Sequence, residues 1–403
     1  MKDKHILYVT HRFPYPPAGG AKVRAYHSIR HLAADNRVIV AAPVRDEEEA
    51  EAVSGLMAEG VDVLTGHIGQ GRAIFQSLLE VARFRPASMG WFHSPALVRA
   101  VRAHIRDRRP DLIVVHCSSV APSVMDVPVP KALDFVDMDS CKWQDYARMT
   151  PLPRAFVYAL EGRRMARAER RLARAFDLNI VTTPRERESL HEIAGDDIRS
   201  AVIRNGVDLA YFTPADDGGY DPDLICFVGR MDYMPNARAM IDFCRDVLPR
   251  LEARRPGLRL AIVGAEPGAD VRALAALPNV HVTGTVPDVR DHVRRAALSI
   301  APLSIARGTQ NKILESMAMG IPVVASRLAA GGVDAEPGRH LLAADGPEET
   351  AAAILSLLED PDLRARLSRD ALAHMRATHG WDRAMTDFSG LLEQMIDQRR
   401  RRS

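Results

Sequence analysis

The chain has 403 residues, too many for one small module, and at about 150 residues per domain it predicts two to three domains. Its 54 Lys and Arg nearly cancel its 52 Asp and Glu, so no global field recruits nucleic acid, and aromatics at 5% are too sparse for base-stacking platforms. With 47% hydrophobic and 26% charged residues it reads as an ordinary globular protein rather than a disordered one.

The first apolar run, Ile6 to Val9, precedes His11-Arg12 and is too short for the core of a signal peptide. No stretch reaches the roughly 18 apolar residues of a membrane span. Cys117, Cys141, Cys226 and Cys244 are widely spaced without Cys-x-x-Cys, which predicts neither a zinc knuckle nor a disulfide framework and fits a reducing compartment. A cytoplasmic location is expected, with attachment to the inner face of the plasma membrane left open.

Short apolar runs alternate with longer amphipathic segments, the pattern of parallel sheets with crossover helices, so the fold class is α/β. Strands are predicted at Ile6 to Thr10, Val38 to Ala42, Val61 to Thr65, Leu112 to His116, Ala132 to Val136 and Leu178 to Thr182. Helical spacing fills the gaps, for example Ala21 to Ala33 and Ala96 to Ile105. The pattern restarts with strands at Leu224 to Gly229, Leu258 to Gly264, Val280 to Thr283, Leu298 to Ala301 and Pro322 to Ala325. Two Rossmann-like doubly wound domains facing across a cleft are therefore expected, over 1–205 and 206–380. Turn-forming residues between Asn205 and Gly219 join them, and a last helix from 381 onward is expected to cross back to the first domain.

Open parallel sheets bind ligands beyond the carboxyl ends of their strands, so residues there are the site candidates. Gly19 and Gly20 follow the first strand and open a helix, where bare backbone N–H groups can approach a ligand. His116 ends a strand, a place from which a histidine can polarise a hydroxyl or donate to a substrate oxygen; the competing reading is a satisfied core histidine. Asp134, Asp137 and Asp139 cluster after the next strand. Their Asp-x-Asp spacing is weak support for a metal, and we predict none. From Arg148 to Arg174, eight arginines stand against Glu161 and Glu169, with Val157, Leu160, Ala168, Leu172 and Phe176 near helical spacing. The stripe reads as core, and the arginine excess as attraction to anionic lipid or a phosphorylated acceptor.

The strongest constellation is Arg230, ending Phe227-Val228-Gly229-Arg230, together with Arg307-Gly308-Thr309-Gln310-Asn311-Lys312 and Glu315. A loop glycine, free N–H groups at a helix start near Thr309 and a lysine make a diphosphate cradle, and Glu315 one turn further can accept from two ribose hydroxyls. Walker A, Gly-x-Ser-x-Gly and zincin patterns are absent.

Glu315-Ser316-Met317-Ala318-Met319-Gly320-Ile321-Pro322-Val323-Val324, with Asn205-Gly206-Val207-Asp208 and Phe227-Val228-Gly229-Arg230, resembles the family 4 glycosyltransferases of the GT-B fold over nearly the whole chain. A narrower likeness, to bacterial sugar transferases of the PEP-CTERM/exosortase system and exopolysaccharide synthesis, rests on His11-Arg12-Phe13-Pro14-Tyr15-Pro16-Pro17, on Asp134-Phe135-Val136-Asp137-Met138-Asp139-Ser140 with Lys142-Trp143, and on Gln310-Asn311-Lys312. The resemblance implies retaining, metal-independent transfer from a nucleotide diphosphate sugar, bound by the second domain, to a glycan or lipid-linked acceptor on the first. His116, Arg230, Lys312 and Glu315 would be catalytic, and Asp134, Asp137 and Asp139 would lie on the acceptor side. No cofactor is expected beyond the sugar nucleotide as co-substrate. Two departures stand out: Arg307 replaces the first glutamate of the family's Glu-x7-Glu, and no lysine follows Arg230 before Ala237. An arginine there would suit an acidic donor sugar. The rival readings are a sugar-nucleotide 2-epimerase of the same architecture and a non-catalytic nucleotide-sugar-binding partner.

Overall fold

A computed structural model describes residues 1–17, 20–215 and 219–401. It divides into two compact units, 1–204 with 382–403, and 205–381. The predicted Gly19 site lies outside the described residues.

The first unit holds seven parallel strands: β1 (His5–Thr10), β2 (Arg37–Val44), β3 (Asp62–His67), β4 (Leu112–His116), β5 (Lys131–Val136), β6 (Leu178–Val181) and β7 (Ser200–Val202), in the order β3-β2-β1-β4-β5-β6-β7. The second holds β8 (Asp221–Val228), β9 (Arg259–Val263), β10 (Val280–Gly284), β11 (Ala296–Ala301), β12 (Val323–Ala325) and β13 (Leu342–Ala343), in the order β10-β9-β8-β11-β12-β13. Both are Rossmann-like α/β sheets. Strands covered on both faces become unbroken apolar runs, which is why Ile6 to Val9 and Leu112 to Val115 are almost wholly enclosed. The order reverses between β1 and β4 and between β8 and β11, and each reversal opens a crevice at the strands' carboxyl ends.

Helix starts repeat one device, an oxygen-bearing cap followed by proline, whose missing N–H costs nothing in the first turn. Ser94 caps Leu97 N ahead of Pro95, and Thr183 caps Glu186 N ahead of Pro184. The final helix, Trp381–Arg400, packs within the first unit from Asp382 onward: Met385 Sδ lies 3.3 Å from Ser28 Oγ, Ser389 Oγ 3.0 Å from His31 Nε2, and Arg399 binds Asp177 at 2.5 Å.

Three expectations need correction. The edge strands β7 and β13 carry no predicted counterpart, because three and two residues are too few to show an alternation. The basic segment is two helices, Asp139–Met149 and Arg154–Ala175, interrupted where Pro151 and Pro153 remove backbone donors. Of its apolar stripe, Leu172 and Phe176 are buried, but Val157 is exposed beside Phe156.

One glycine shows how tightly the second crevice is built. At Gly264, just after β9, φ is +152°, and a Cβ there would stand 1.8 Å from the Gly229 carbonyl oxygen. Gly264→Ala is expected to destabilise the second unit by about 3 kcal/mol through backbone strain and overlap; a urea midpoint unchanged from wild type would contradict this.

Candidate functional site

In the second unit the polar groups converge at the carboxyl end of β8. Gly229, the first residue beyond it, donates its N–H to Val263 O at 3.0 Å. Its lack of a side chain leaves room for Lys312, whose Nζ lies 3.2 Å from where a Cβ would be. Lys312 comes from the helix Asn311–Ala318. Its Nζ donates to Asn236 Oδ1 at 2.6 Å and stands 4.4 Å from the Phe227 ring centroid, while Asn236 Nδ2 donates to Arg230 O at 2.8 Å. One amide thus ties the lysine to the loop after β8.

Lys312 and Glu315 are one turn apart and both half-buried. Burial pushes the Lys312 ammonium down to about 7, resisted by the charge of Glu315. Burial likewise lifts the Glu315 carboxyl to about 7, resisted by Lys312. A lysine so displaced beside a helix N-terminus can regain its charge against an anion, and the neighbouring carboxyl can accept from hydroxyls.

The loop before this helix is shaped by Gly308, whose φ of +60° only glycine adopts freely. Gly332 packs against it so closely that a Cβ would meet Gly308 O at 2.4 Å. Gln310 Nε2 donates to Arg307 O at 3.0 Å, and Asn311 Oδ1 accepts from Asn205 Nδ2 at 3.2 Å. Thr309 Oγ1 is enclosed without a hydrogen-bond partner in the protein, an orphan that a ligand oxygen would satisfy. The helix begins at Asn311, two residues later than expected, because the left-handed Gly308 turns the chain first. Arg230 is more than half exposed, and its guanidinium is held by Asp232 at 2.9 Å and Glu266 at 3.0 Å. Its charge is therefore already partly compensated.

The first unit gathers a different set. His116 pairs in register with Asp134 on β5 and with Thr10 on β1, so these side chains share one sheet face. Arg24, from the helix Gly20–Ala33, grips Asp134 through Nε at 2.7 Å and Nη2 at 3.2 Å, and donates through Nη1 to Ile203 O at 2.9 Å. His116 Nδ1 lies 3.4 Å from Asp134 Oδ2. Burial would raise the Asp134 carboxyl, but Arg24 and His116 outweigh it and hold it down at about 2. His116 and Asp134 have no exposed surface. Expected on the acceptor side, they form with Arg24 an enclosed polar cluster, with the rings of Tyr8 and His11 stacked 6.4 and 5.8 Å from that of His116. Burial, with His116 nearby, keeps the His11 imidazole neutral, well below its ordinary range.

Asp137 and Asp139 are half-buried and go to different partners. Thr182 Oγ1 donates to Asp137 at 3.0 Å, while Ser118 Oγ donates to Asp139 at 3.2 Å and Lys142 pairs with Asp139. Burial, then the charge of Glu186, pushes Asp137 up to about 7. Among the described residues no three His, Cys, Asp or Glu side chains form a metal-binding group. Backbone strain concentrates here: Val136 has φ +67° and Cys117 +84°, each costing about 1–3 kcal/mol and most often found where function demands it.

Sequence reasoning missed Asn236, Arg24 and the fit of Phe227 under Lys312. A lone Asn inside a helical pattern carries no local signal. Arg24 was legible only as an arginine between Val23 and Ala25 on a helix otherwise turned toward the sheet.

Residues 18–211 match the family model for Glycosyltransferase Family 4, and residues 222–360 that for Glycosyl transferases group 1. A D-inositol 3-phosphate glycosyltransferase of Acidothermus cellulolyticus is 31% identical over 246 residues, 55% of this chain and 53% of that protein. The chain spans about half the length of the curated relatives it matches first. Among solved structures, a sucrose-phosphate synthase from Thermosynechococcus elongatus aligns with TM-score 0.73 at 16% identity, over 98% of this chain and 100% of that one. Anabaena HepE in complex with UDP-glucose aligns with TM-score 0.68 at 15% identity, over 97% and 100%. These likenesses share the fold. The chain is thus built of a Glycosyltransferase Family 4 domain followed by a glycosyl transferases group 1 domain, on the two Rossmann-like units of the GT-B fold.

Proposed function

We propose that the protein transfers a glycosyl group from a nucleotide diphosphate sugar to a hydroxyl of a glycan or lipid-linked acceptor. The observation that carries this reading is Lys312 Nζ, fixed by Asn236 beside side-chain-free Gly229 at the carboxyl end of β8. Negative charge grows on the leaving diphosphate as the glycosidic bond breaks. Lys312, the first N–H groups of the helix Asn311–Ala318 and the Thr309 hydroxyl would stabilise that charge without reorganising, which is where most of the rate gain arises. Glu315 would accept from the ribose hydroxyls. Arg230 would join only by exchanging Asp232 and Glu266 for phosphate, and Arg307 would meet the sugar. Retention of configuration, independence from metal and a place in exopolysaccharide synthesis at the inner membrane face follow from the family resemblance and belong to the same proposal. So does the use of a uridine diphosphate donor, as in the HepE complex.

The test is incubation of the protein with a panel of nucleotide sugars, with and without candidate acceptors. Acceptor-dependent release of nucleoside diphosphate supports transfer. Release of an epimerised sugar without acceptor would replace it by 2-epimerisation, and binding without turnover by a non-catalytic role.

A pH dependence follows. Lys312 is lowered to about 7 in the free protein, and a bound diphosphate restores its ammonium, so above pH 7 binding takes up a proton. UDP affinity is expected to fall with rising pH between about 7 and 9, approaching tenfold per unit. Calorimetry in buffers of different ionisation heat reads the proton directly, and a flat profile would remove this assignment.

A further inference from the structure

The helix Gln70–Ala82 buries only Ala73 and turns its apolar side outward. Phe75 is 58% exposed, Leu78 62% and the following Phe84 80%. Ile74, Phe75, Leu78 and Val81 recur at helical spacing, a face that would be core in most proteins. Gly90 sets the helix's other side: a Cβ there would meet Gln76 O at 2.5 Å, so the short helix Ala87–Trp91 seats against its backbone and leaves the apolar row uncovered. Leu152, just before the helix Arg154–Ala175, and Phe156 and Val157 in its first turn are exposed as well, and Arg164 of that helix stands over the Phe84 ring at 5.8 Å.

Next to this face a cavity of about 360 Å³ opens in the first unit. Its walls include Met89, Phe92, Leu97, Val101, Val120 and Leu172. Exposed arginines stand at its mouth: Arg83, Arg85, Arg102 and Arg171. Glu80 answers Arg83 at 3.2 Å and Arg85 at 3.8 Å, and Asp126 answers Arg102 at 2.6 Å. Arg171 has no acidic partner among the described residues. An apolar interior of ligand size under a cationic rim matches a hydrocarbon chain ending in an anion, and the adjoining uncovered face matches the surface such a chain leaves. Phe92 also touches His11, whose ring lies 5.8 Å from that of His116, which links this cavity to the carboxyl ends of β1 and β4.

We propose that this cavity receives the hydrocarbon chain of a phosphate-bearing membrane lipid, its head against Arg171 and Arg85. That the lipid is the acceptor rests on the glycosyl-transfer reading; its binding does not.

The probe is dodecyl phosphate below its micellar concentration, titrated into the full chain by calorimetry, against dodecyl maltoside for the chain alone and butyl phosphate for the head alone. Saturable binding of one dodecyl phosphate per chain is expected, about tenfold or more tighter than either comparator. Ala168→Phe, which fills the cavity from the helix Arg154–Ala175, is expected to weaken it about tenfold or more, and Arg171→Ala to weaken dodecyl phosphate while sparing the maltoside. Val98→Phe replaces Ala168→Phe if the latter misfolds by circular dichroism. Equal binding of phosphate and maltoside, or binding indifferent to the filled cavity, overturns the proposal. So does a concentration-dependent dimer lost in Leu78→Lys, which would make a second copy the occupant. UDP binding measured on the same samples separates the two readings: UDP bound without lipid overturns this inference alone, and lipid bound without UDP overturns the transfer.

Discussion

Lys312→Met is expected to lower kcat/KM for donor turnover about 100- to 1,000-fold, the cost of deleting one preorganised charge from a site where charge develops. Methionine keeps an unbranched apolar side chain of similar length beside the Phe227 ring, over which the ammonium stood at 4.4 Å, so the circular dichroism spectrum is expected to match wild type. The loss should fall on kcat as well as on KM, because the diphosphate carries more charge in the transition state than in the bound donor. The pH slope of UDP binding should vanish with it. Asn236→Ala is the milder companion, since it frees the lysine without removing it. Undiminished transfer in Lys312→Met would sink the assignment of this crevice.

The largest stability effect is expected at Arg24→Met. It leaves the Asp134 carboxylate fully enclosed beside His116 with its bidentate partner gone, and such orphaned charges cost about 3–5 kcal/mol. Urea unfolding followed through Trp91 and Trp143, both in the first unit, measures it. The double replacement Arg24→Met with Asp134→Leu is expected to recover much of the loss, because a buried ion pair often does no better than apolar side chains of similar size. A shift below about 1 kcal/mol in the single variant would show that water reaches the cluster.

Legibility followed range along the chain. The central strands are plain in the sequence because parallel strands covered on both faces must be apolar throughout, and β1, β4, β8 and β11 fall where Ile6, Leu112, Leu224 and Leu298 open such runs. Lys312 and Glu315 are plain because they share a helix turn, and helix geometry sets their separation. The edge strands β7 and β13 were too short to show a period. The break in the basic segment was written in Pro151 and Pro153, while the helical spacing of its apolar residues, Val157 to Phe176, lies on one side of that break.

By itself, then, the chain's order of residues determined two α/β units, the strand ends where chemistry collects, and a lysine and glutamate at a glycine-rich helix start. Those are local facts of periodicity and turn chemistry. Only the tertiary structure decided that His116 is sealed inside, since that depends on β4 lying between β1 and β5 and on Arg24 reaching Asp134 from 110 residues away. It alone decided that Asn236 holds Lys312, and that the apolar side of Gln70–Ala82 looks outward instead of in. An amphipathic pattern says that a helix has an apolar face; which way that face turns is settled by the neighbours that cover the other side.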